Sequence, residues 1–286
     1  MSMPVRRPAP RLSGVLRRAL LLAGAGAPAL AAAAEPSSDN LKRRARALVF
    51  PRDHGSHPDT TIEWWYITGH TRVGAGDSAR VLGFQLTFFR SRVAVTQQMA
   101  SHFAARQLLF AHAAVTDVQG RRFRHDQRIA RTGFGVAEAS EADTALQLRD
   151  WSLTHDNGSY RARIAAPDFS LELDFTSTQA VLLQGDRGWS RKGPQPEQAS
   201  FYYSRPQLAF EGHITLDGQR LPVRGDGAHG VDPRRFTPAV GAAWLDHEWS
   251  DSVLDPDAVG WDWVGINLFD GSALTAFRIR DKSGST

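Results

Sequence analysis

The residues best equipped for chemistry lie near the end of the chain, in Trp244-Leu245-Asp246-His247-Glu248-Trp249-Ser250 and in Trp261-Asp262-Trp263. Four of the eight tryptophans fall here, beside three carboxylates and a histidine. Large π-faces interleaved with proton donors and acceptors suit a site that holds an apolar molecule and moves a proton. If the first stretch is a strand, Leu245, His247 and Trp249 share one face and Trp244, Asp246 and Glu248 the other. If the second is a strand, Asp262 shares a face with Val264, Ile266 and Leu268, and a carboxyl among aliphatic side chains has its pKa raised.

The elements that must position these residues read as β-strands. Val81–Phe89 and Phe169–Phe175 alternate apolar and polar residues with period two, Ile62–Gly69 and Leu108–Val115 also read as strands, and Gly, Asp, Asn and Pro separate the runs. Asn157-Gly158 is a two-residue hairpin signal joining Leu153 to Tyr160–Ile164. Phe201–Ser204 and Leu208–Leu216 continue the series, and a single helix is expected around Val95–Leu108. The pattern predicts an all-β chain, sandwich or barrel, and a barrel of about eight strands has room for one small apolar ligand.

Composition excludes several classes. With no cysteine, there are no disulfides, thiolate metal sites or cysteine nucleophiles. The pI near 9.8 invites a nucleic-acid reading, but residues 1–34 hold five arginines and no acids. Removing those five from the formal net charge of +4 leaves the remainder at −1, so no nucleic-acid partner is expected. A basic head, the apolar run Ala19–Ala27 and the small-residue exit Ala31–Ala34 make residues 1–34 a predicted signal peptide. Arg17-Arg18 allows twin-arginine export to the periplasm or beyond. No transmembrane segment is expected in the mature chain. No Gly-x-Ser-x-Gly elbow is present for a serine hydrolase. Asp53, His54, His57 and Asp59 are ligand types, but they lie on a Pro/Gly-rich loop with no further ligand close in sequence, so neither metal nor cofactor is expected.

The blocks Asp53–Pro58, Glu63–His70, Gln85–Arg90, His112–Asp117, Ser190–Pro194, Ser200–Ser204, Trp244–Ser250 and Trp261–Trp263 closely resemble, in order, the carotenoid 1,2-hydratase/AttH family of lipocalin-like proteins. The resemblance implies two consecutive lipocalin-like β domains. On it, 1–34 is the leader, 35–48 a linker, 49–250 the first domain and 251–286 the beginning of an incomplete second one, with 225–238 an insertion. It also implies hydration of an isoprenoid double bond in some members; others are exported proteins described as secreted hydrolases.

Hydration needs a proton delivered to carbon, aromatic faces toward the resulting cation, and a base for the attacking water. The expected assignment makes Asp262 the acid and His247 the base, with Asp246 and Glu248 as supporting partners. Trp249, with Trp261 or Trp263, walls the cation. Trp244, Trp65 and Tyr66 complete the ligand-binding set, although Glu63–Tyr66 reads equally as packing. The ligand expected is a carotenoid, isoprenoid or lipid. The alternative is a non-catalytic periplasmic carrier of a hydrophobic ligand, or an accessory of lipid export that meets transporter components.

Overall fold

The structure is a computed structural model, and it describes residues 46–74, 79–196, 198–227, 241–251, 255 and 257–283. The predicted leader 1–34 and most of the predicted insertion 225–238 lie outside the described residues.

Period-two patterning becomes one large antiparallel sheet. In chain order its strands are β1 (Ile62–Val73), β2 (Arg80–Arg92), β3 (Gln107–Asp117), β4 (Arg122–Arg131), β5 (Ala137–Ala139), β6 (Ala145–Leu148) and β7 (Trp151–Asp156). Then come β8 (Ser159–Ala165), β9 (Phe169–Thr176), β10 (Leu182–Leu183), β11 (Trp189–Arg191), β12 (Ala199–Leu216), β13 (Gln219–Gly225) and β14 (Gly241–Ser250). The spatial order is β4-β3-β2-β1-β14-β12-β9-β8-β7-β6-β5, with β10, β11 and β13 also paired to β12. The sheet coils into a nearly closed barrel, its two ends approaching where β3 and β4 meet β5 and β6. Arg128 of β4 reaches across, 5.0 Å over the Trp151 ring, and donates to the Ala165 carbonyl at 3.1 Å.

Inward alternation fills the barrel with Trp65, Ile67, Phe84, Leu86, Leu153, Leu173 and Phe175, all buried. At Asn157-Gly158 both residues take positive φ (49° and 83°), the geometry of the tight turn between β7 and β8. The loop 52–57, with a 3₁₀ turn at Arg52–His54, packs onto the β5–β6 connection. A Cβ at Gly55 would come within 2.4 Å of the Glu141 carbonyl oxygen, so this approach requires glycine.

Two expectations are corrected here. The helix at Val95–Leu108 is a short 3₁₀ turn, Ala94–Thr96, followed by irregular chain and then β3. Side chains replace the helical ladder: Thr96 Oγ1 donates to the Ala105 carbonyl at 2.7 Å, and Gln97 Nε2 to those of Val93 and Arg106 at 2.8 Å. The two predicted strands around 201–216 are one strand, β12, with its pairing register shifted between Arg205 and Leu208. Gln207 sits in that irregularity with φ 54°.

The last strands, β15 (Ala258–Asn267) and β16 (Ala273–Asp281), form a separate two-stranded sheet. Gln207 anchors their connection, donating from Nε2 to the Leu268 and Ser272 carbonyls at 2.8 and 2.9 Å. Among the described residues no helix is long and apolar enough to cross a membrane.

Candidate active site

The site forms where β1 and β14 pair inside the barrel. β1 buries Glu63, Trp65 and Ile67 on its inner face. The register sets Trp65 opposite His247 and Glu63 opposite Trp249. Phe201 and Tyr203 of β12 lie opposite Trp249 and His247 on the other side of β14. The loop 52–57 brings Asp53, His54 and His57 to the same place, all buried.

Glu63 is the hub. Its Oε1 accepts from His57 Nδ1 at 2.7 Å and His247 Nε2 at 2.9 Å. Its Oε2 accepts from Arg90 Nε (2.9 Å), the His57 amide (2.8 Å) and Ser56 Oγ (3.2 Å). Burial would raise its pKa, but the bonds from His247 and His57 outweigh it and hold the carboxylate ionised. Arg90 spends its other nitrogens on the Thr60 carbonyl and hydroxyl and on Gln107 Oε1.

From the hub a line of hydrogen bonds runs through His247 Nδ1 to Tyr203 Oη (3.1 Å), to His54 Nδ1 (2.7 Å), and from His54 Nε2 to Arg205 Nη2 (3.0 Å). Its ends fix its direction. Arg205 only donates and an ionised Glu63 only accepts. So His54 accepts at Nε2 and donates from Nδ1 to Tyr203, Tyr203 donates to His247 Nδ1, and His247 donates from Nε2 to Glu63. Both histidines are therefore neutral. His57 is different: it faces Glu63 at Nδ1 and Asp53 Oδ1 at Nε2 (3.1 Å), so both nitrogens donate and the ring is charged.

The tryptophans serve this network. Trp249 stacks on the His57 ring at 3.9 Å and 5°, a cation–π arrangement, and Trp65 stacks on His247 at 4.5 Å. The indole N–H of Trp65 donates to the His54 carbonyl at 3.1 Å.

The pKa directions follow. Burial draws His54 down to about 2, with Arg205, His155 and His247 adding to the effect. Burial brings His247 to about 4, which Glu63 only partly opposes. For His57 burial pulls the same way, but its bonds to Asp53 and Glu63 prevail and raise it. Burial would raise Asp53, yet bonds from His57, Arg46 and the Val49 amide bring it to about 2.

These shifts give stability a dome-shaped pH dependence. Unfolded, the three histidines titrate near 6.5. Between about pH 4 and 6.5 the unfolded chain binds protons on His54 and His247 that the folded chain refuses. Asp246, raised to about 7 by burial, acts oppositely, because the folded chain keeps one proton that the unfolded chain loses above 3.8. The unfolded chain still binds more, so stability rises with pH over this range. Below about 4.5, loss of the Glu63 and Asp53 carboxylates deepens the fall. Above 6.5 the folded chain holds the His57 proton that the unfolded chain sheds, and stability drops as pH passes the folded His57 pKa. Urea midpoints from pH 4 to 9 are expected to peak near pH 6.5; a midpoint still climbing at pH 9 contradicts a charged His57.

The expected site residues divide between two faces of β14. His247, Trp249 and Trp65 converge inside the barrel. Asp246 and Glu248 point the other way and orient nothing on His247; Glu63 does that. Asp246 Oδ1 accepts from Ser204 Oγ at 2.5 Å and Trp244 Nε1 at 2.8 Å. Glu248 Oε1 accepts from Ser200 Oγ at 2.5 Å and pairs with Lys192 Nζ at 2.9 Å. Trp263 lies here too, donating to Tyr202 Oη at 3.1 Å and touching Trp244 and Tyr66 edge to face. Trp261 is half exposed.

Asp262 is the main correction. It does share a face of β15 with Val264 and Ile266, but that face is exposed. The Asp262 side chain is 63% exposed and pairs with Arg280 at 3.1 Å. The alternation was legible, whereas the direction the face turns depends on tertiary packing. Asp262→Asn is therefore expected to change stability by less than about 1 kcal/mol and turnover by less than about twofold. A hundredfold loss of turnover in steady-state assay would return Asp262 to the mechanism.

Glu63, Tyr203, His54, His57, Asp53, Arg90 and Arg205 carry the network, and sequence reading left them outside the site. One signal was present: Glu63 occupies an inward position of an aromatic strand. The isolation assumed for the Asp53–His57 loop also fails. His57, Glu63 and His247 offer ligand atoms within 4.8 Å of one another and form the set among the described residues that could hold a cation. Both imidazole nitrogens already meet the same Glu63 oxygen, and Arg90 holds the other one. A cation there would displace two N–H···O bonds beside a guanidinium, so the arrangement is built for proton placement. Two surface cavities, of about 320 Å³ against β5–β7 and about 360 Å³ at Gly185–Pro196, lie away from the network residues.

Comparison with known proteins places this geometry. A family model described as AttH-like matches residues 42–286. The chain belongs to the AttH-like family. The crystal structure of a Nitrosomonas europaea protein provisionally designated AttH is 44% identical, with a TM-score of 0.71, over 84% of this chain and 67% of that one. Kievitone hydratase from Nectria haematococca superposes with a TM-score of 0.54 over the same shares of the two chains. At 11% identity that likeness concerns the fold. A comparison with curated proteins returned no match. Against the AttH-like fold, the blocks that carry the family resemblance in this sequence, Asp53–Pro58, Glu63–His70, Ser200–Ser204 and Trp244–Ser250, are the segments that meet at Glu63.

Proposed function

We propose that this AttH-like protein adds water to a carbon–carbon double bond of an apolar, isoprenoid-type ligand, with the Glu63–His247–Tyr203–His54 line as its proton-handling device. The observation that carries this reading is the unbroken, one-directional hydrogen-bond line in a water-poor interior. His247 is held neutral near pH 7 and so has a vacant role as base, while Glu63 stabilises the imidazolium that forms when it accepts a proton. The Tyr203 hydroxyl delivers its proton to one alkene carbon, and the tertiary cation this leaves takes up water, whose proton passes to His247. The His247 proton then returns to the Tyr203 oxygen, and the balance is one water added. His54 Nδ1–H holds the Tyr203 oxygen throughout. That a hydratase shares the fold supports the reaction class, and the family resemblance supports an acyclic carotenoid as the first substrate to try.

The complete enclosure of Glu63 and His247 favours a second reading, a non-catalytic carrier whose network only stiffens the barrel. Incubation with acyclic carotenoid in ¹⁸O-labelled water separates the two. A product heavier by one labelled water supports the hydratase, whereas co-purifying ligand that never gains mass supports the carrier. The basic and alanine-rich residues 1–34 support an exported protein acting outside the cytoplasm. Amino-terminal sequencing of the cell-fractionated protein tests this, since an intact Met1 in the cytoplasmic fraction contradicts it.

A further inference from the structure

Two arginines are buried against the barrel interior, and they are treated unequally. Arg90, 1% exposed, has the Glu63 carboxylate and three further acceptors. Arg205, 9% exposed, donates only to neutral partners, Ser177 Oγ at 2.9 Å and His54 Nε2 at 3.0 Å. Among the described residues no carboxylate lies within ion-pair distance of it, and its Nε has no hydrogen-bond partner. A buried cation without a counter-ion is costly.

A second orphan stands beside it. Tyr160, 1% exposed, has a hydroxyl without a close hydrogen-bond partner, beside the Tyr203 hydroxyl and the Arg205 guanidinium, whose carbon lies 5.7 Å from its ring centre. Asp143, whose charge reaches Tyr160, is already bonded to His155 at 2.8 Å. The unmet groups are thus an N–H and an O–H, both able to donate, and an oxyanion completes both. The His155 and His54 rings lie 4.5 and 6.4 Å from the Tyr160 ring, and Phe175 stands opposite Tyr160 on β9. We propose that the Arg205–Tyr160 corner is a head-group subsite for the carboxylate of an otherwise apolar monocarboxylic acid. It rests on the barrel interior being the ligand site, as the hydratase reading also requires, but it needs no turnover. A planar guanidinium edge suits a carboxylate, and an alcohol or hydrocarbon leaves the charge unmatched.

Isothermal titration with dodecanoate and with dodecanol, identical in chain, tests this without substrate conversion. The acid is expected to bind at least about tenfold tighter than the alcohol, the worth of a charge-assisted bond. Arg205→Met is expected to erase that preference. Tyr160→Phe, which removes a hydroxyl without a close partner and so leaves the fold intact, is expected to weaken the acid about three- to tenfold and leave the alcohol unchanged. If Arg205→Met does not fold, Tyr160→Phe decides alone. Equal affinities for acid and alcohol, no binding of the acid, or an acid preference untouched by Tyr160→Phe would each overturn the proposal. Acid binding together with a carotenoid that gains no labelled water retains it while removing the hydratase reading.

Discussion

Glu63→Gln is expected to cost about 3–5 kcal/mol of unfolding free energy, the penalty for leaving buried charges without their partner. The side chain is nearly isosteric, so the loss is electrostatic. Arg90 and the charged His57 would face a neutral amide, and two or three of the five donors now aimed at the carboxylate would meet an N–H instead of an oxygen. His57 would lose part of what keeps it protonated, so the alkaline limb of the stability dome should move to lower pH. The double variant Glu63→Leu/Arg90→Met is expected to recover much of the stability, because an apolar pair of similar volume carries no unpaired charge. Urea unfolding of the two variants and the parent measures this. A Glu63→Gln protein within about 1 kcal/mol of the parent would remove Glu63 as the hub.

Tyr203→Phe is expected to have the largest effect on function. Tyr203 is the junction between His54 and His247, and its hydroxyl is the one group that touches both. Without it His54 Nδ1–H and His247 Nδ1 are buried and unpaired, which costs about 1–3 kcal/mol each. The proton path is cut, and a positioned acid or base is worth about 10²–10⁴ in rate. Turnover should fall by at least about a hundredfold while ligand binding changes little. Tyr202→Phe makes the comparison: it removes a hydroxyl from the opposite face of β12, one that receives Trp263, and turnover should stay within about twofold. Equal loss in both variants would mean that Tyr203 supports the barrel and handles no proton.

The strands were legible wherever a face is apolar. β9 alternates cleanly and was read to within a residue, and Asn157-Gly158 marked the turn between β7 and β8. β4 was missed because Arg122–Arg131 carries charge on both faces, as suits an exposed strand at the end of the sheet. The polar residues at Ser204–Pro206 hid the continuity of β12. In the site, His247 and its two tryptophans were found because aromatic and ionisable residues cluster locally around them. Glu63 was not, because its meaning depends on residues far along the chain: His247 is 184 positions away, and His54 meets Tyr203 across 149. Strand pairing supplies those contacts, and a single sequence does not display it. Asp262 failed for a related reason. Its spacing predicts its neighbours on β15 correctly, but not whether their shared face turns toward the barrel.

The central claim is that one line of hydrogen bonds, fixed at its ends by Arg205 and Glu63, sets the proton on every imidazole it contains. Nitrogen-15 NMR of the histidine side chains at pH 6.5 reads this directly. The expected spectrum shows His247 neutral with its proton on Nε2, His54 neutral with its proton on Nδ1, and His57 doubly protonated. A charged His247, or a neutral one carrying its proton on Nδ1, would contradict the line and the mechanism built on it.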